Sequence, residues 1–465
     1  MNRVIIASGC AFALGLTAVA FVGCEDTGLI SSNFDTSAYT PEGCGFEVSP
    51  ATETTSGLDD GLGTGTPDHV HVGWSSDPSS TVAVNWRTDT ETTGTQVIYG
   101  TEQAAVEAAD GPGDGVNVQS GHWMSYEASI FDTEPTQIHE VHICGLSPDT
   151  TYYYKAGSPG AWSEVYDIST GPPPGSTGPV RFAVSGDSRN EPSIWAEVQE
   201  AIDAEGVDFE LFSGDAVIAG ANQGQWNAFF QAESGNGFKA IDLLARMPLM
   251  VVNGNHDNLQ VNYDAQFSLP QDKVDGELLN GEEWWSFDYG NVHIVGLNDS
   301  PEINAISQPQ RQWLEADLAA VDRETTPWVF VVHHKPTYSC GGSHGSNLDI
   351  RSAWQPIFDR FQVDIVFAGH DHLYERSKPI RGLQGVEGQL AEAGVNGTPV
   401  DQSGTLYVVA AGAGAPLYGA DDQCFHTEVA ESTRNYVIVD IQDRTLEYTA
   451  YRLNGTVLDS FSYSK

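Results

Sequence analysis

Positive charge is scarce in this chain of 465 residues: 20 Lys plus Arg stand against 64 Asp plus Glu, a formal net charge of −44. A surface of that sign repels polyanions, which excludes nucleic-acid binding and docking of the folded body on an anionic bilayer. The excess acid reads as a solvated exterior rather than a surface for a partner. Any phosphate-bearing substrate would therefore need cations placed locally. Cysteine is sparse as well, six in all, which excludes a small disulfide-dense scaffold. Past residue 24 no apolar stretch approaches the roughly 18 residues that cross a bilayer as a helix. Apolar residues nevertheless make up 40%, with 11 Trp and 17 Tyr. That composition can bury two or three cores and is not that of a disordered chain.

The first residues read as an address. Arg3 precedes a small, mostly apolar run from Val4 to Val22, followed by Gly23-Cys24 and the acidic pair Glu25-Asp26. This order resembles a bacterial lipoprotein signal over residues 1–24. The resemblance implies acylation of Cys24, export to the periplasm or cell surface, and membrane contact through that lipid anchor. A plain secretory signal or a single membrane anchor remains the alternative. Export permits disulfides among Cys44, Cys144, Cys340 and Cys424. Three pairings are possible; Cys340 with Cys424 is preferred because both fall in loops of one domain, and free thiols stay open.

Residues 25–66 are rich in Gly, Ser, Thr, Asp and Glu and read as a flexible acidic tether. Over 67–171 short alternating segments take over, such as Thr81 to Trp86, Thr95 to Tyr99 and His139 to Ile143. Turn residues separate them, so this stretch is expected to be an all-β sandwich. Its stretch from Gly145 to Tyr154 is similar to a corner of fibronectin type III domains. No cluster of catalytic residue types falls in it, and its expected role is to brace the next domain. Gly171-Pro172-Pro173-Pro174-Gly175-Ser176 forms a stiff boundary. From 178 to 465 apolar runs alternate with helical patterns such as Ile194 to Asp203 and Gln310 to Val321, which predicts an α/β domain.

Five apolar runs in this second domain end in residues that bind metals. Val180 to Gly186 leads to Asp187, Phe209 to Gly214 to Asp215, and Pro248 to Gly254 to Asn255-His256-Asp257. Trp328 to Val332 leads to His333-His334, and Val363 to Gly369 to His370-Asp371-His372. Buried strands read as continuous apolar runs, and ligands gather beyond their carboxyl ends. Each fragment alone is a common turn or surface sequence; five in order point to one cation site. A mixed Asp, Asn and His set suits Fe, Mn or Zn better than Ca or Mg.

The order Asp, Gly-Asp, Gly-Asn-His-Asp, His, Gly-His-x-His resembles the calcineurin-like metallophosphoesterases. Gly369 to Arg376 and Trp285 to His293 look closer still to the purple acid phosphatases, as does the preceding β-domain, and the resemblance covers residues 67–465. It implies a metallophosphoesterase fold of two β-sheets flanked by helices, holding two Fe, Mn or Zn ions. Asp215 would bridge them. Asp187 and His372 would hold the first, and Asn255, His334 and His370 the second, with His333 left to packing. His256 would serve the leaving oxygen and His344 a phosphate contact or the surroundings of the metals. The expected reaction is hydrolysis of small phosphate esters, monoesters foremost, by metal-hydroxide attack. A phosphodiesterase or nucleotidase is the near alternative, and a degenerate metal- or phosphate-binding surface protein the distant one.

Two positions depart from these families. The tyrosine expected three residues after Asp215 is Ile218, so no ferric-tyrosinate colour is expected. The histidine that other metallophosphoesterases place two residues after the first aspartate is Arg189. The first metal thus lacks a protein ligand; water or Asn190 could substitute. Arg189 is expected either to grip phosphate oxygens or to pair with a carboxylate.

Overall fold

The alternating segments of the first half pair into two antiparallel sheets. The chain is seen in a computed structural model that describes residues 38–465 except 52–53, 128–133, 259, 271–272, 275–276, 279–282, 300–305 and 401–402. The leader with Cys24 and the start of the tether lie outside the described residues. One sheet runs in the order Thr55–Leu58, His122–Tyr126, Thr136–Cys144, Thr81–Thr88, Asp68–Gly73. The other runs Tyr166–Ser169, Thr151–Ser158, Gln96–Gly100, Asn117–Ser120. Val72, Val84, Trp86, Val97, Val141 and Tyr154 fill the space between them.

The second half of the expected tether is not flexible. Thr55–Leu58 pairs with His122–Tyr126, Val48 is buried, and Cys44 is disulfide-bonded to Cys144. Composition misleads here because order comes from a disulfide and an edge-strand pairing with distant residues, neither of which needs a local apolar run. Polar residues of this sandwich such as Asn85 and His71 are also buried, since the second domain covers them. Ser268 Oγ donates to Asn85 Oδ1 at 2.8 Å, and His71 Nε2 meets the Gln266 carbonyl.

The second domain is an α/β sandwich of a six-stranded and a seven-stranded sheet. Five strands carry the predicted motifs: β1 (Pro179–Ser185), β2 (Phe209–Phe212), β3 (Leu249–Val251), β4 (Trp328–Val332) and β5 (Ile365–Ala368). β1, β2 and β3 are parallel neighbours in the first sheet, and β4 and β5 in the second. The side chains of β2 to β5 are buried on both faces, as continuous apolar runs require, and those of β1 are from Phe182 onward. Helix Pro192–Glu205 buries Trp195, Val198 and Ile202 at helical spacing, begins with Pro at its first turn and stops at Gly206 in the left-handed conformation, φ 65°. Helix Leu348–Phe361 buries Ile350, Trp354, Ile357 and Phe358 in the same manner.

The sheets meet through aromatic rings. Phe182 of β1 stacks on Phe209 of β2 at 5.2 Å and meets Phe330 of β4 at 5.4 Å. Each fully buried Phe contributes roughly 1.5–3 kcal/mol. This ring cluster clamps the sheets so that the carboxyl ends of all five strands open on one edge.

Candidate metal centre

Three of the strand-end residues adopt left-handed backbone: Asp187 (φ 59°), Asp215 (φ 58°) and His370 (φ 70°). That conformation costs roughly 1–2 kcal/mol for a residue with a Cβ and persists only where surroundings enforce it. The preceding glycines make the enforcement possible. A Cβ at Gly254 would overlap Asp215 Oδ1, and one at Gly369 would overlap Asp187 Oδ2. The turns therefore press backbone against carboxylate, and the acidic side chains are driven inward to complete burial.

Around His334 the atoms converge. Its Nδ1 lies 2.8 Å from the Ser213 carbonyl and must carry the hydrogen, which directs Nε2 at the centre. Within reach of Nε2 are Asn255 Oδ1 at 3.2 Å, His370 Nδ1 at 3.2 Å and Asp215 Oδ1 at 3.3 Å. One Nε2 hydrogen could serve only one of these three acceptors. A cation serves all, so the donor set fits a metal ion. The electrostatics agree. Burial resists charging His334, yet Asp215 raises its pKa to about 10, while burial and the neighbouring His334 press His370 down to about 2. Burial would raise Asp215, but the His334 ring holds its carboxyl well below the usual range.

Beside this lies a second group, Asp187, Asp215 and His372, whose donor atoms are all within 4.8 Å of one another. His372 donates through Nδ1 to the Pro416 carbonyl at 2.7 Å, leaving Nε2 3.3 Å from Asp187 Oδ1. Asp187 Oδ1 and Asp215 Oδ2 are buried and accept no hydrogen bond among the described residues. Unpaired buried carboxylate oxygens call for a positive charge. Here, however, one is already present. Arg189 Nε sits 3.2 Å from Asp215 Oδ2, and Nη2 3.1 Å from His372 Nε2. Arg189 is thus paired with a carboxylate, one of its two expected roles. This group fits a metal only in part.

The remaining predicted residues sit around the rim. His256 donates its backbone N–H to Asp215 Oδ1 at 2.9 Å, and its Nδ1 to the Ile218 carbonyl at 2.7 Å. His344 is exposed, with its ring 4.1 Å from that of His370. His333 is fully buried against Trp354, bonded to Asp299 Oδ2 at 3.0 Å and turned away to packing. Ile218 is 42% exposed, and Asn190 lines the small cleft beside it.

Three contributors were not singled out from sequence. Asp257, buried, accepts N–H bonds from Asp215 (2.8 Å), Gly254 (3.0 Å) and Val217 (3.3 Å), fixing two turns at once. Burial and the nearby Asp215 charge push its pKa up to about 7. Asp371 accepts from Ser339 Oγ at 2.6 Å, His344 N at 3.1 Å and Gly345 N at 2.9 Å, so it holds the His344 loop over the site. Tyr418 stacks on His372 at 4.1 Å. Both aspartates stand inside the quoted motifs, whose spacing was the available signal; Tyr418 left none.

Two sheets packed face to face with such a cluster at the carboxyl ends of their strands fit a phosphoesterase sandwich, and residues 180–374 match the family profile described as calcineurin-like phosphoesterase. Residues 67–170 match the profile of the purple acid phosphatase N-terminal domain. The chain is 31% identical over 323 residues to probable purple acid phosphatase 20 of Arabidopsis thaliana, covering 67% of this chain and 69% of that protein. It belongs to the purple acid phosphatase family. Purple acid phosphatase 22 of the same plant is 33% identical over 288 residues, 60% of this chain and 62% of that protein. With purple acid phosphatase 21 the match spans 57% of the relative's length. A purple acid phosphatase from yellow lupin (Lupinus luteus) seeds shares the fold, with a TM-score of 0.70 at 20% identity over 86% of this chain and 74% of that one.

Proposed function

We propose that this chain hydrolyses phosphate esters, monoesters foremost, outside the cytoplasm, at a metal ion held by Asp215, Asn255, His334 and His370. Asp187 and His372 extend the set toward a second ion. The convergence of three acceptor atoms on His334 Nε2 carries this reading. Fe, Mn or Zn bound there would supply positive charge for the phosphate oxygens and acidify water. The protein's own residues do the rest. Asp215 fixes the His256 backbone and the Ile218 carbonyl holds its Nδ1 hydrogen, so Nε2 carries the second proton of the imidazolium form and gives it to the leaving oxygen. His344, held by the Asp371 loop, contacts the phosphate. Strands of both sheets and the ring cluster between them keep these groups in register. The chain is divided into domains at 67–171 and 178–465, the first bracing the second and extended at its edge by Thr55–Leu58. Disulfides Cys44–Cys144 and Cys340–Cys424 support an exported protein.

Release of phosphate from a chromogenic monoester and of the chromophore from the matching bis-ester tests the reaction and ranks the substrates. A chelator should abolish turnover, and Mn, Fe or Zn should restore it. Asp215→Asn should lose more than about a hundredfold in activity. Equal activity in Asp215→Asn and the unaltered chain would overturn the assignment. Preference for the bis-ester would make the protein a diesterase at the same site.

A further inference from the structure

The Asp187, Asp215 and His372 group differs from its neighbour in containing a side chain of permanent positive charge. Arg189 Nε and Nη2 lie 3.2 Å from Asp215 Oδ2 and 3.1 Å from His372 Nε2. Those are two of the atoms a cation at this position would use. The arm is not a loose surface group: its side chain is only 12% exposed. Its loop is tied down on both sides. The Arg189 backbone N–H points to the Asp215 carbonyl at 3.4 Å, and Ser188 Oγ donates to the Ala216 carbonyl at 3.1 Å. Further along, Glu191 pairs with Arg434 at 2.7 Å.

A guanidinium keeps its charge throughout the range in which proteins are folded, and it has no lone pair with which to ligate a metal. His372 donates its Nδ1 hydrogen to Pro416, so Nε2 holds the lone pair. Arg189 Nη2 is the donor that meets it. A lone pair accepting from a guanidinium is not at the same moment available to a metal, and a cation beside a cation is repelled. Among the described residues the neighbouring group around His334 has no such occupant.

Resting on the metal centre put forward under Proposed function, we propose that Arg189 fills one of the two cation positions as a built-in charge. The chain then binds one metal ion tightly, at Asp215, Asn255, His334 and His370, and a second at least about tenfold more weakly. Arg189 offers a phosphate oxygen the charge and N–H groups that a second ion would otherwise provide. Its planar fork suits that task.

The test is the metal stoichiometry of the full, metal-stripped chain titrated with Mn2+, read by calorimetry and by metal content after gel filtration. The unaltered chain and Arg189→Lys should hold one tight equivalent. Arg189→Ala should tighten the second equivalent by about tenfold or more, and Arg189→His, which adds an imidazole, should tighten it further. Anomalous scattering from Arg189→His crystals should place the added ion between Asp187 and His372. Two equivalents of equal affinity in the unaltered chain, or superimposable isotherms for it and Arg189→His, would overturn the proposal. The readout is independent of turnover. One tight ion becoming two in Arg189→His, with no phosphate released from any ester, would support the role of Arg189 and overturn the hydrolase reading instead.

Discussion

His293 balances charge far from the metal centre. Its Nδ1 bonds Asp288 Oδ1 at 2.7 Å and its Nε2 bonds Asp317 Oδ2 at 2.9 Å, in a cleft that Asp77 also lines. Burial opposes charging the ring, but the two carboxylates raise its pKa to about 9. A raised histidine stabilises the fold fully below its unfolded value of about 6.5, and the contribution is lost as pH climbs through about 9. His293→Gln should therefore cost on the order of 2–3 kcal/mol at pH 6 and little at pH 10. Urea midpoints at the two pH values check this; equal losses at both would refute it. At this scale the sequence was partly legible. Asp187, Asp215, His334, His370 and His372 could be picked out because each follows an apolar run. What a polar residue inside a motif does was not legible, because Asp257 and Asp371 act on backbone N–H groups that only the folded turns bring near. The missing ligand at residue 189 could be seen in the sequence; where the arginine went could not, since that depends on the distant Asp215 and His372.

Loops that carry site residues are anchored one by one. The segment from Ser339 to Gly345 hangs from Asp371 and from the disulfide Cys340–Cys424, which joins residues 84 apart in sequence. Cross-links of that span stabilise by about 2–4 kcal/mol. A Cys340→Ser, Cys424→Ser double variant should lose that much in denaturant unfolding. It should also raise KM for a phosphate monoester by releasing His344, with bound metal unchanged because neither cysteine belongs to the candidate ligand set. Loss of metal together with the disulfide would refute the separation. The strands themselves were readable from apolar runs and turn residues. The short strand Thr55–Leu58 was not, because its order is borrowed from His122–Tyr126.

Across the whole molecule the two domains share their interior. Trp74, from the end of the first sandwich, is fully buried among Phe209 at 5.5 Å, Phe287 at 5.3 Å and Tyr289 at 5.6 Å of the second domain. In return Tyr154 Oη donates to the Ala245 carbonyl at 2.6 Å, and the His71 and Phe230 rings lie 4.5 Å apart. Trp74→Ala should cost about 3–5 kcal/mol. Because Phe209 belongs to β2, which leads into the turn carrying Asp215, metal affinity should fall with it. Calorimetric unfolding should remain one transition in the unaltered chain, and two separate transitions would show that the domains are independent. The proline-rich boundary is pinned too, with Gly175 N–H bonded to the Gly290 carbonyl at 2.6 Å and Gly171 N–H to that of Pro78 at 2.9 Å. A protease or a cloning scheme that severed the chain at Pro173 would not liberate two modules. It would uncover an oily seam on each piece, and both would be driven to clump unless they found one another again.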